Sequence, residues 1–283
     1  MIEEIIISNL QYLESIKNAI SNGGAEKFHV LSDFDRTLTK MLVAGEEVPS
    51  IISVLRSEGY LTPDYPAKAQ ELFNHYHAIE IDPLLPREKK REAMREWWSK
   101  HFELLIASGL RKKDIESAVA SQKLQLRDGV ILFFKFLRAH DIPLVIMSSS
   151  GLGTESISLF LGRQGLLTEN IHIISNEFIW DEAGLAIAVK EPIIHAFNKE
   201  ETVLGGFPFY DKVKDRKNVL LLGDGPDDVE MIAGYDYNNL IKVGFLNKNI
   251  EENLLPYKEK FDVLITGDGN FDFINDLLIE LFR

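Results

Sequence analysis

The sequence predicts an α/β fold with a doubly wound parallel-sheet core and an inserted helical cap domain. Two observations predict this class. Short apolar runs of strand length alternate with helical segments over much of the chain, and repeated βα units form parallel sheets with helices on both faces. One long stretch, at about 64–120, has a helical pattern that no strand interrupts, so we interpret the block at about 41–127 as an insertion.

The N-terminal part is predicted to be a helix followed by a buried strand. Apolar residues recur at about helical spacing over residues 2–20, and Asn22-Gly23-Gly24 ends the pattern. The apolar run Phe28–Ser32 has the length and character of a strand buried on both faces. It leads directly into Asp33-Phe34-Asp35-Arg36-Thr37, so polar residues follow its C-terminal end.

The segment from about 64 to 120 is predicted to be helical throughout. One face of it carries Ala69, Leu72, Phe73 and Tyr76, and a charged run at 87–92 leads into Trp97, Phe102, Leu105 and Ile106. We therefore predict a catalytic core formed by residues 1–40 and 128–283, and a helical cap formed by residues 41–127.

The alternation of helix and strand resumes after Asp128-Gly129. The predicted elements are a helix at 129–140, a strand at 142–147, a helix at 153–164, a strand at 171–175, a hairpin around 181–184, a strand at 218–222, a helix from about 226, a strand at 240–243, a helix from about 250, a strand at 262–265 and a closing helix at 271–282. Together with the first strand they make a Rossmann-like core.

Composition and charge exclude several classes of protein. The chain has no cysteine, which rules out disulfides and cysteine-ligated metal sites. A net charge of −13 argues against a nucleic-acid polymer as partner, because such binding depends on Lys and Arg neutralising phosphates. Apolar runs such as 130–134 are far shorter than the roughly 20 residues that span a bilayer. Since the N-terminus lacks a basic secretory signal, we expect a cytoplasmic protein, and we expect a monomer that acts on a small molecule.

Polar residues follow four apolar runs at the points where chemistry is expected. Ligands of open α/β sheets bind beyond the carboxyl ends of the strands. The four groups are Asp33, Asp35 and Thr37; Ser148-Ser149-Ser150-Gly151; Lys199; and Gly223-Asp224-Gly225-Pro226-Asp227-Asp228.

Carboxylates that converge on one sheet edge predict a Mg²⁺ site. They would repel one another strongly without a cation, and oxygen ligands without His or Cys favour Mg²⁺. The predicted metal residues are Asp33, Asp35, Asp224 and Asp228. Asp228 is expected either to hold the metal-binding residues in place or to bind the metal through a water molecule. Asp227 is the alternative to Asp228 for this role.

Two carboxylates two residues apart at a strand end can divide a phosphoryl transfer between them. Asp33 would be the nucleophile that forms an acyl-phosphate, and Asp35 would protonate the leaving oxygen and then deprotonate the hydrolytic water. The phosphoryl oxygens would be held by Thr37, Ser148, Ser149 and Lys199.

This set of motifs, in this order, resembles the haloacid dehalogenase-like phosphohydrolase superfamily, and within it the cytosolic pyrimidine 5′-nucleotidase family. The second resemblance spreads across nearly the whole chain. It is carried by Asp33-Phe34-Asp35-Arg36-Thr37-Leu38, Ala78-Ile79-Glu80-Ile81-Asp82-Pro83, Glu96-Trp97-Trp98-Ser99-Lys100, Ile194-His195-Ala196-Phe197-Asn198-Lys199, Leu222-Gly223-Asp224 and Lys242-Val243-Gly244-Phe245-Leu246-Asn247.

The resemblance implies two substrate-binding residues in a cap over the active site. An acidic residue matching Glu80 contacts the nucleotide, and an aromatic residue matching Trp98 stacks on its base. Trp at this position resembles family members that accept 7-methylguanosine monophosphate, whereas pyrimidine-preferring members carry Tyr. The chain departs from the family after Ser148, where the turn is about one residue longer, so any of Ser148 to Ser150 can meet the phosphate.

Several of these residues also have simpler interpretations. Trp97 and Trp98 point about 100° apart on a helix, so one of them is expected to face the cleft while the other packs. Glu80 could pair with an arginine of the cap instead of the substrate. His75-x-His77 resembles a metal pair, but no third ligand follows at a zinc-like spacing, so a surface or packing role is expected.

The resulting prediction is a Mg²⁺-dependent phosphomonoesterase that acts on nucleoside 5′-monophosphates of the pyrimidine or 7-methylguanosine type. The first alternative is the same chemistry on another small phosphate ester, such as a phosphosugar or phosphoserine, which offers no such base to stack on Trp98. A second alternative is a phospho-acceptor module of the receiver type. That class predicts a chain of about half this length, with no cap and no counterpart of Asp35.

Overall fold

The structure is a computed structural model that describes residues 4–43, 45–82, 84–121, 123–199 and 206–283. Its strands are β1 (Ile5–Ile7), β2 (Phe28–Ser32), β3 (Leu42–Val43), β4 (Glu46–Glu47), β5 (Leu144–Met147), β6 (Ile171–Ile174), β7 (Phe178–Trp180), β8 (Ala186–Val189), β9 (Asn218–Gly223), β10 (Asn239–Leu246) and β11 (Val263–Thr266).

The α-helices alternate with these strands outside one helical block. They are α1 (Leu10–Gly23), α2 (Ile51–Ser57), α3 (Tyr65–Ile81), α4 (Arg87–Ala107), α5 (Lys112–Ala120), α6 (Val130–Ala139), α7 (Gly153–Arg163), α8 (Tyr210–Val213), α9 (Ile250–Lys260) and α10 (Asp272–Leu281). The structure also has 3₁₀ segments at Ala25–Lys27 and Pro226–Ile232.

A seven-stranded sheet forms the centre, in the order β1-β11-β10-β9-β2-β5-β6. All neighbouring strands are parallel except β1, which pairs antiparallel with β11. The chain moves outward from β2 through β5 to β6, and then returns to the other side of β2 at β9. The α/β class with a mostly parallel sheet is therefore confirmed, and β2 lies at the point where the strand order reverses.

Both faces of the sheet are covered, because side chains of one strand alternate between two apolar clusters. In β2, Phe28 and Val30 belong to one cluster and Leu31 to the other. In β9, Leu220 and Leu222 pack with the first cluster, whereas their neighbours pack with the second. Every residue of β2 is buried, as expected for a central parallel strand.

The start of the chain differs from the prediction of one helix over residues 2–20. Ile5, Ile6 and Ile7 form the edge strand β1, with Ile5 opposite Ile265. Three consecutive β-branched residues favour a strand once an edge is available to pair with. The helix begins only after Asn9, whose side chain accepts a hydrogen bond from the Tyr12 N–H at 3.0 Å.

The helix predicted from about Pro226 is a 3₁₀ segment, Pro226–Ile232. Its first turn closes with the Asp228 N–H donating to the Gly225 carbonyl at 3.0 Å. The Asp228 side chain also accepts the N–H groups of Asp224 and Gly225 at 3.0 and 2.9 Å. This carboxylate ties the turn to the end of β9, which favours the tighter i→i+3 winding.

Helices α2 to α5 and the short β3–β4 pair lie between β2 and β5 in the chain. The two segments that connect them to the sheet run side by side: Lys40 N–H donates to the Gln125 carbonyl at 2.8 Å, and Arg127 N–H donates to the Leu38 carbonyl at 3.0 Å. The assignment of 41–127 as a separate cap domain stays a prediction. Pro83, part of one sequence motif, lies outside the described residues.

Within the described part of the chain, no helix combines the length and the apolar character that crossing a bilayer requires.

Candidate active site

The C-terminal ends of three adjacent strands bring the predicted catalytic residues together. Asp33 directly follows β2, Ser148 follows β5, and Asp224 follows β9. The Asp33 N–H continues the ladder by donating to the Leu222 carbonyl of β9 at 2.9 Å. Because β2 lies between β5 and β9, their polar ends meet at one edge of the sheet.

Asp33 is held by a lysine from a distant part of the chain. The Lys199 ammonium donates to Asp33 Oδ1 at 2.6 Å and to Asp228 Oδ1 at 2.8 Å. The Thr37 hydroxyl donates to the other Asp33 oxygen, Oδ2, at 3.2 Å. Thr37 is fully buried, and Lys199 is only 4% exposed. These contacts fix the orientation of the Asp33 carboxylate.

Three carboxylates form a cluster that could hold a cation. Oxygen atoms of Asp33, Asp224 and Asp228 all lie within 4.8 Å of one another. The three carboxyl groups lie near the Lys199 ammonium, and all their ligand atoms are hard oxygens, which fits a divalent ion such as Mg²⁺. The Asp35 side chain is not part of this cluster. A metal role for Asp35 therefore stays a prediction.

Burial and mutual repulsion raise the carboxyl pKa values in the cluster. Burial raises the pKa of Asp33 to about 7, against the opposing charge of Lys199. Burial, followed by repulsion from Asp33 and Asp228, raises the pKa of Asp224 well above its ordinary value. Burial lowers the pKa of Lys199, but Asp228 and Asp33 outweigh it and raise the value. A bound divalent ion would attract each carboxylate and so offset the repulsion among them, which would lower their pKa values.

Asp35 has a pKa suited to moving protons. Removal from water raises the pKa of its carboxyl to about 6, although the positive charges of Arg36 and Lys199 oppose the shift. A group with a pKa near neutrality can both donate and accept a proton at physiological pH. Asp35 also lines the cleft described below.

The serine-rich turn after β5 follows the strand that pairs with β2. The Ser150 N–H donates to Ser148 Oγ at 3.1 Å, and the Asn176 side chain donates to the Ser150 carbonyl at 3.2 Å. Ser148 is almost fully buried, whereas Ser149 and Ser150 are partly exposed. Ser148, Ser149 and Ser150 all line the same cleft as Asp33, so the choice among their hydroxyls stays open.

A cleft of about 500 Å³ joins the sheet edge to the inserted helices. The predicted residues that line it are Asp33, Asp35, Glu80, Trp98, Ser148, Ser149, Lys199, Asp224 and Asp228. Thr37 is not among the lining residues, since its hydroxyl lies on Asp33.

Further residues to which the sequence assigned no function also line this cleft, among them Arg36, Ser50, Ile52, Gly151 and Phe197. Arg36, Gly151 and Phe197 lie inside motifs quoted above, and that position is their only signal in the sequence. Nothing in the sequence indicates Ser50 or Ile52.

The structure gives different surroundings to the residues between which the sequence left a choice. Asp228 contacts Lys199, whereas Asp227 approaches Arg87 of α4, with Oδ1 at 4.0 Å from Nε. Trp97 is buried and stacks on Tyr76 with ring centroids 5.9 Å apart, whereas Trp98 lines the cleft. Glu80 forms an ion pair or hydrogen bond with His77 of its own helix, at 3.0 Å.

Comparison with known proteins identifies relatives over nearly the whole chain. The family model described as "Pyrimidine 5'-nucleotidase (UMPH-1)" matches residues 36–282. A 7-methylguanosine phosphate-specific 5′-nucleotidase of Rattus norvegicus is 32% identical over 272 residues, which covers 96% of this chain and 90% of the relative. The corresponding protein of Drosophila melanogaster is 33% identical, with 94% and 83% covered.

Solved structures match the fold as well. A crystal structure of cytosolic 5′-nucleotidase IIIB bound to cytidine superposes with a TM-score of 0.90 at 31% identity, covering 98% of this chain and 93% of that one. A phospho-aspartyl intermediate analogue of phosphoserine phosphatase superposes with a TM-score of 0.54 at 17% identity, covering 91% and 99%. The second match shows a shared fold and no more.

Proposed function

The chain belongs to the pyrimidine 5′-nucleotidase (UMPH-1) family of haloacid dehalogenase-like phosphohydrolases, and from this premise we propose that it hydrolyses nucleoside 5′-monophosphates with the help of Mg²⁺. One observation carries the proposal. A single cleft holds the Asp33–Lys199 pair at the sheet edge and, from the inserted helices, the Glu80 and Trp98 side chains. A phosphate bound at one end would leave a nucleoside within reach of the other.

Hydrolysis begins with Asp33. One oxygen of its carboxylate attacks the phosphorus, forms an acyl-phosphate and breaks the bond to O5′ of the nucleoside. Lys199 and the Thr37 hydroxyl, which both contact this carboxylate, hold it in one orientation for in-line attack. Ionised Asp33 is the reactive form, so the charges around it must offset the effect of burial.

Asp35 moves the protons of both half-reactions. It donates a proton to O5′ as the nucleoside leaves, and then takes one from the water that attacks the acyl-phosphate. That attack breaks the bond between phosphorus and Asp33, releases inorganic phosphate and regenerates the carboxylate. A carboxyl pKa of about 6 supports this double role.

The acidic cluster would hold the cation and the phosphate together. Asp33 and Asp224 would bind Mg²⁺, with Asp228 and Asp35 completing the site. When bound, Mg²⁺ supplies positive charge that offsets the negative charge of the phosphate and the carboxylates. Asp228 already holds the Asp224 and Gly225 N–H groups and Lys199, which keeps this turn in place. Lys199 and the Ser148 and Ser149 hydroxyls would bind phosphoryl oxygens.

Trp98 and Glu80 would recognise the nucleoside. Stacking on an aromatic side chain contributes about 1–3 kcal/mol per base. The relatives named for 7-methylguanosine phosphate and the relative crystallised with cytidine support a nucleoside for this cleft, with a base of either size. The wider ring of Trp98 favours the larger base.

A panel of phosphate esters tests this proposal. Phosphate release would be measured from cytidine, uridine and 7-methylguanosine 5′-monophosphates, ribose 5-phosphate and phosphoserine, each with Mg²⁺ and with a chelator. We expect kcat/KM for a nucleotide to exceed that for ribose 5-phosphate by about fivefold or more, because one stacked base contributes about 1–3 kcal/mol and each 1.4 kcal/mol is a factor of about ten. Equal values would favour the phosphosugar alternative.

We also propose a cytoplasmic, monomeric enzyme without a nucleic-acid polymer or membrane as partner. The word cytosolic in the names of relatives supports the first part.

A further inference from the structure

His77 contacts the side chain that would read the base. Its ring nitrogen Nδ1 lies 3.0 Å from Glu80 Oε2, within one turn of α3. An ionised carboxylate only accepts hydrogen bonds, so Nδ1 carries the proton in this contact. Glu80 lines the catalytic cleft, whereas His77 stands behind it with 41% of its side chain exposed.

The His77 ring is itself held in place. Phe73, one turn earlier on α3, stacks on it with centroids 4.8 Å apart and an interplanar angle of 16°. Residues 73, 77 and 80 occupy one face of the helix, at the i, i+4, i+7 spacing. The Phe73 ring in turn contacts Trp97 and the Arg56 guanidinium, with centroid distances of 6.0 and 5.0 Å. The donor atom of His77 therefore has little freedom to turn away.

The position of Glu80 on the helix makes such a partner useful. Glu80 lies in the last turn of α3, which ends at Ile81. Carboxylates are disfavoured there by the partial negative charge of the helix C-terminus. A neighbouring N–H donor offsets this effect and restricts the rotamers of a long, flexible side chain.

We propose that His77 is a positioning residue for nucleobase recognition. Its Nδ1–H holds Oε2 of Glu80, which leaves Oε1 to accept an N–H group of the base, such as the exocyclic amino group of cytosine or guanine. This inference rests on the proposed function, in which Glu80 binds the nucleoside. It identifies a determinant of substrate preference that never touches the substrate.

Two substitutions separate the hydrogen bond from the ring. His77→Phe keeps a ring that stacks on Phe73 but removes the donor, whereas His77→Asn removes the ring but keeps an N–H near the place of Nδ1. His75→Phe is a matched control, because His75 lies on the same helix and faces the outer cavity beside Tyr76. Thermal unfolding of each variant would check that the fold is intact.

The measurement is kcat and KM for cytidine 5′-monophosphate, 7-methylguanosine 5′-monophosphate and ribose 5-phosphate. For His77→Phe we expect KM for both nucleotides to rise about three- to tenfold, while kcat for the nucleotides and both kinetic constants for ribose 5-phosphate stay unchanged. This range lies between the free energy of an exposed ion pair and that of a buried hydrogen bond to a charged group. His77→Asn should stay close to wild type, and so should His75→Phe.

A double-mutant cycle with Glu80→Ala tests whether His77 acts through Glu80, because alanine removes the acceptor of the His77 hydrogen bond. If it does, His77→Phe should cause little further change in KM in the Glu80→Ala background. The inference is overturned if His77→Phe leaves KM for nucleotides unchanged or raises KM for ribose 5-phosphate by the same factor. It is also overturned if His77→Asn raises KM for nucleotides as much as His77→Phe does. A wild-type enzyme without preference for nucleotides over ribose 5-phosphate would instead overturn the proposed function, and this inference with it.

Discussion

Gly151 lies directly against the Trp98 ring. A Cβ atom at Gly151 would come within 2.6 Å of Trp98 Cζ3 and within 3.2 Å of Ile52 Cγ1. The turn that carries the candidate phosphate-binding serines is thus in contact with the aromatic side chain proposed to stack on the base. Because a methyl group does not fit there, the two ends of the cleft are linked through this single glycine.

Gly151→Ala should therefore push Trp98 out of position. We expect a several-fold higher KM for nucleoside monophosphates, and a smaller effect on ribose 5-phosphate, because the displaced ring is remote from phosphorus. Gly162→Ala is the control, since a Cβ at that helical position meets nothing within 4 Å and alanine favours a helix. Unchanged kinetics in Gly151→Ala would show that the ring gives way without loss of function.

Trp98→Ala should weaken nucleotide binding by about 1–3 kcal/mol, the contribution of one aromatic stack on a base. The loss should appear mainly as a higher KM for nucleotides, and kcat/KM for ribose 5-phosphate should be unchanged. Steady-state kinetics with the two substrate types would measure it. An equal fall for both would mean that Trp98 only supports the inserted helices, and no fall for either would exclude it from the site.

Activity should require Mg²⁺ and disappear in chelator, because Asp33, Asp224 and Asp228 lie within 4.8 Å of one another and would face a phosphate dianion. Ca²⁺ should inhibit, since it prefers more ligands at longer distances than Mg²⁺. Phosphate release would be followed across a metal titration. Full turnover in chelator, with metal excluded by elemental analysis, would contradict the assignment of this cluster.

Stability should fall as the pH is lowered from about 6.5 towards 4, in part because of His29. This residue of β2 is fully buried, and burial lowers its pKa to about 4, while its Nδ1 lies 2.7 Å from the Arg216 carbonyl oxygen. In this window the unfolded chain binds the proton and the folded chain does not, so protonation favours unfolding by up to about 3 kcal/mol.

The contribution of His29 can be isolated by comparing chemical unfolding of wild type and His29→Leu over pH 4 to 7.5. The wild-type free energy of unfolding should depend more steeply on pH than that of the variant. Equal slopes would mean that His29 is already protonated or solvated in the folded state. The site carboxylates, whose raised pKa values act in the opposite direction, are common to both proteins.

Local patterns predicted the residues at the strand ends well, because strand and motif are adjacent in the chain. The apolar run Phe28–Ser32 became β2, and Asp33 stands at its end. The edge strand β1 could not be predicted, because Ile5 to Ile7 form a strand only beside β11, more than 250 residues later. The contact between Lys199 and Asp33 likewise joins residues that are far apart in the chain, with a sequence separation of 166.

The composition of the cleft was only partly predictable. Glu80 and Trp98 are predictable only through a family resemblance. The sequence predicts a surface or packing role for His77, whose ring stacks on Phe73 and also contacts Glu80. The contact between Gly151 and Trp98 depends on how the inserted helices pack on the sheet edge. The Gly151–Trp98 contact therefore arises from packing between distant segments, which hydrophobic periodicity does not encode.

Trapping the covalent intermediate tests whether the Asp33 carboxylate attacks phosphorus. The enzyme would be mixed briefly with a nucleoside monophosphate and Mg²⁺, quenched in acid, digested and analysed by mass spectrometry. We expect a phosphoryl group on Asp33 in wild type and none in Asp33→Asn. Turnover of Asp33→Asn should fall below about one per cent of wild type, a barrier increase above roughly 2.7 kcal/mol. A phosphoryl group on another residue, or a folded Asp33→Asn variant that retains more activity than this, would contradict the assignment of Asp33 as the nucleophile.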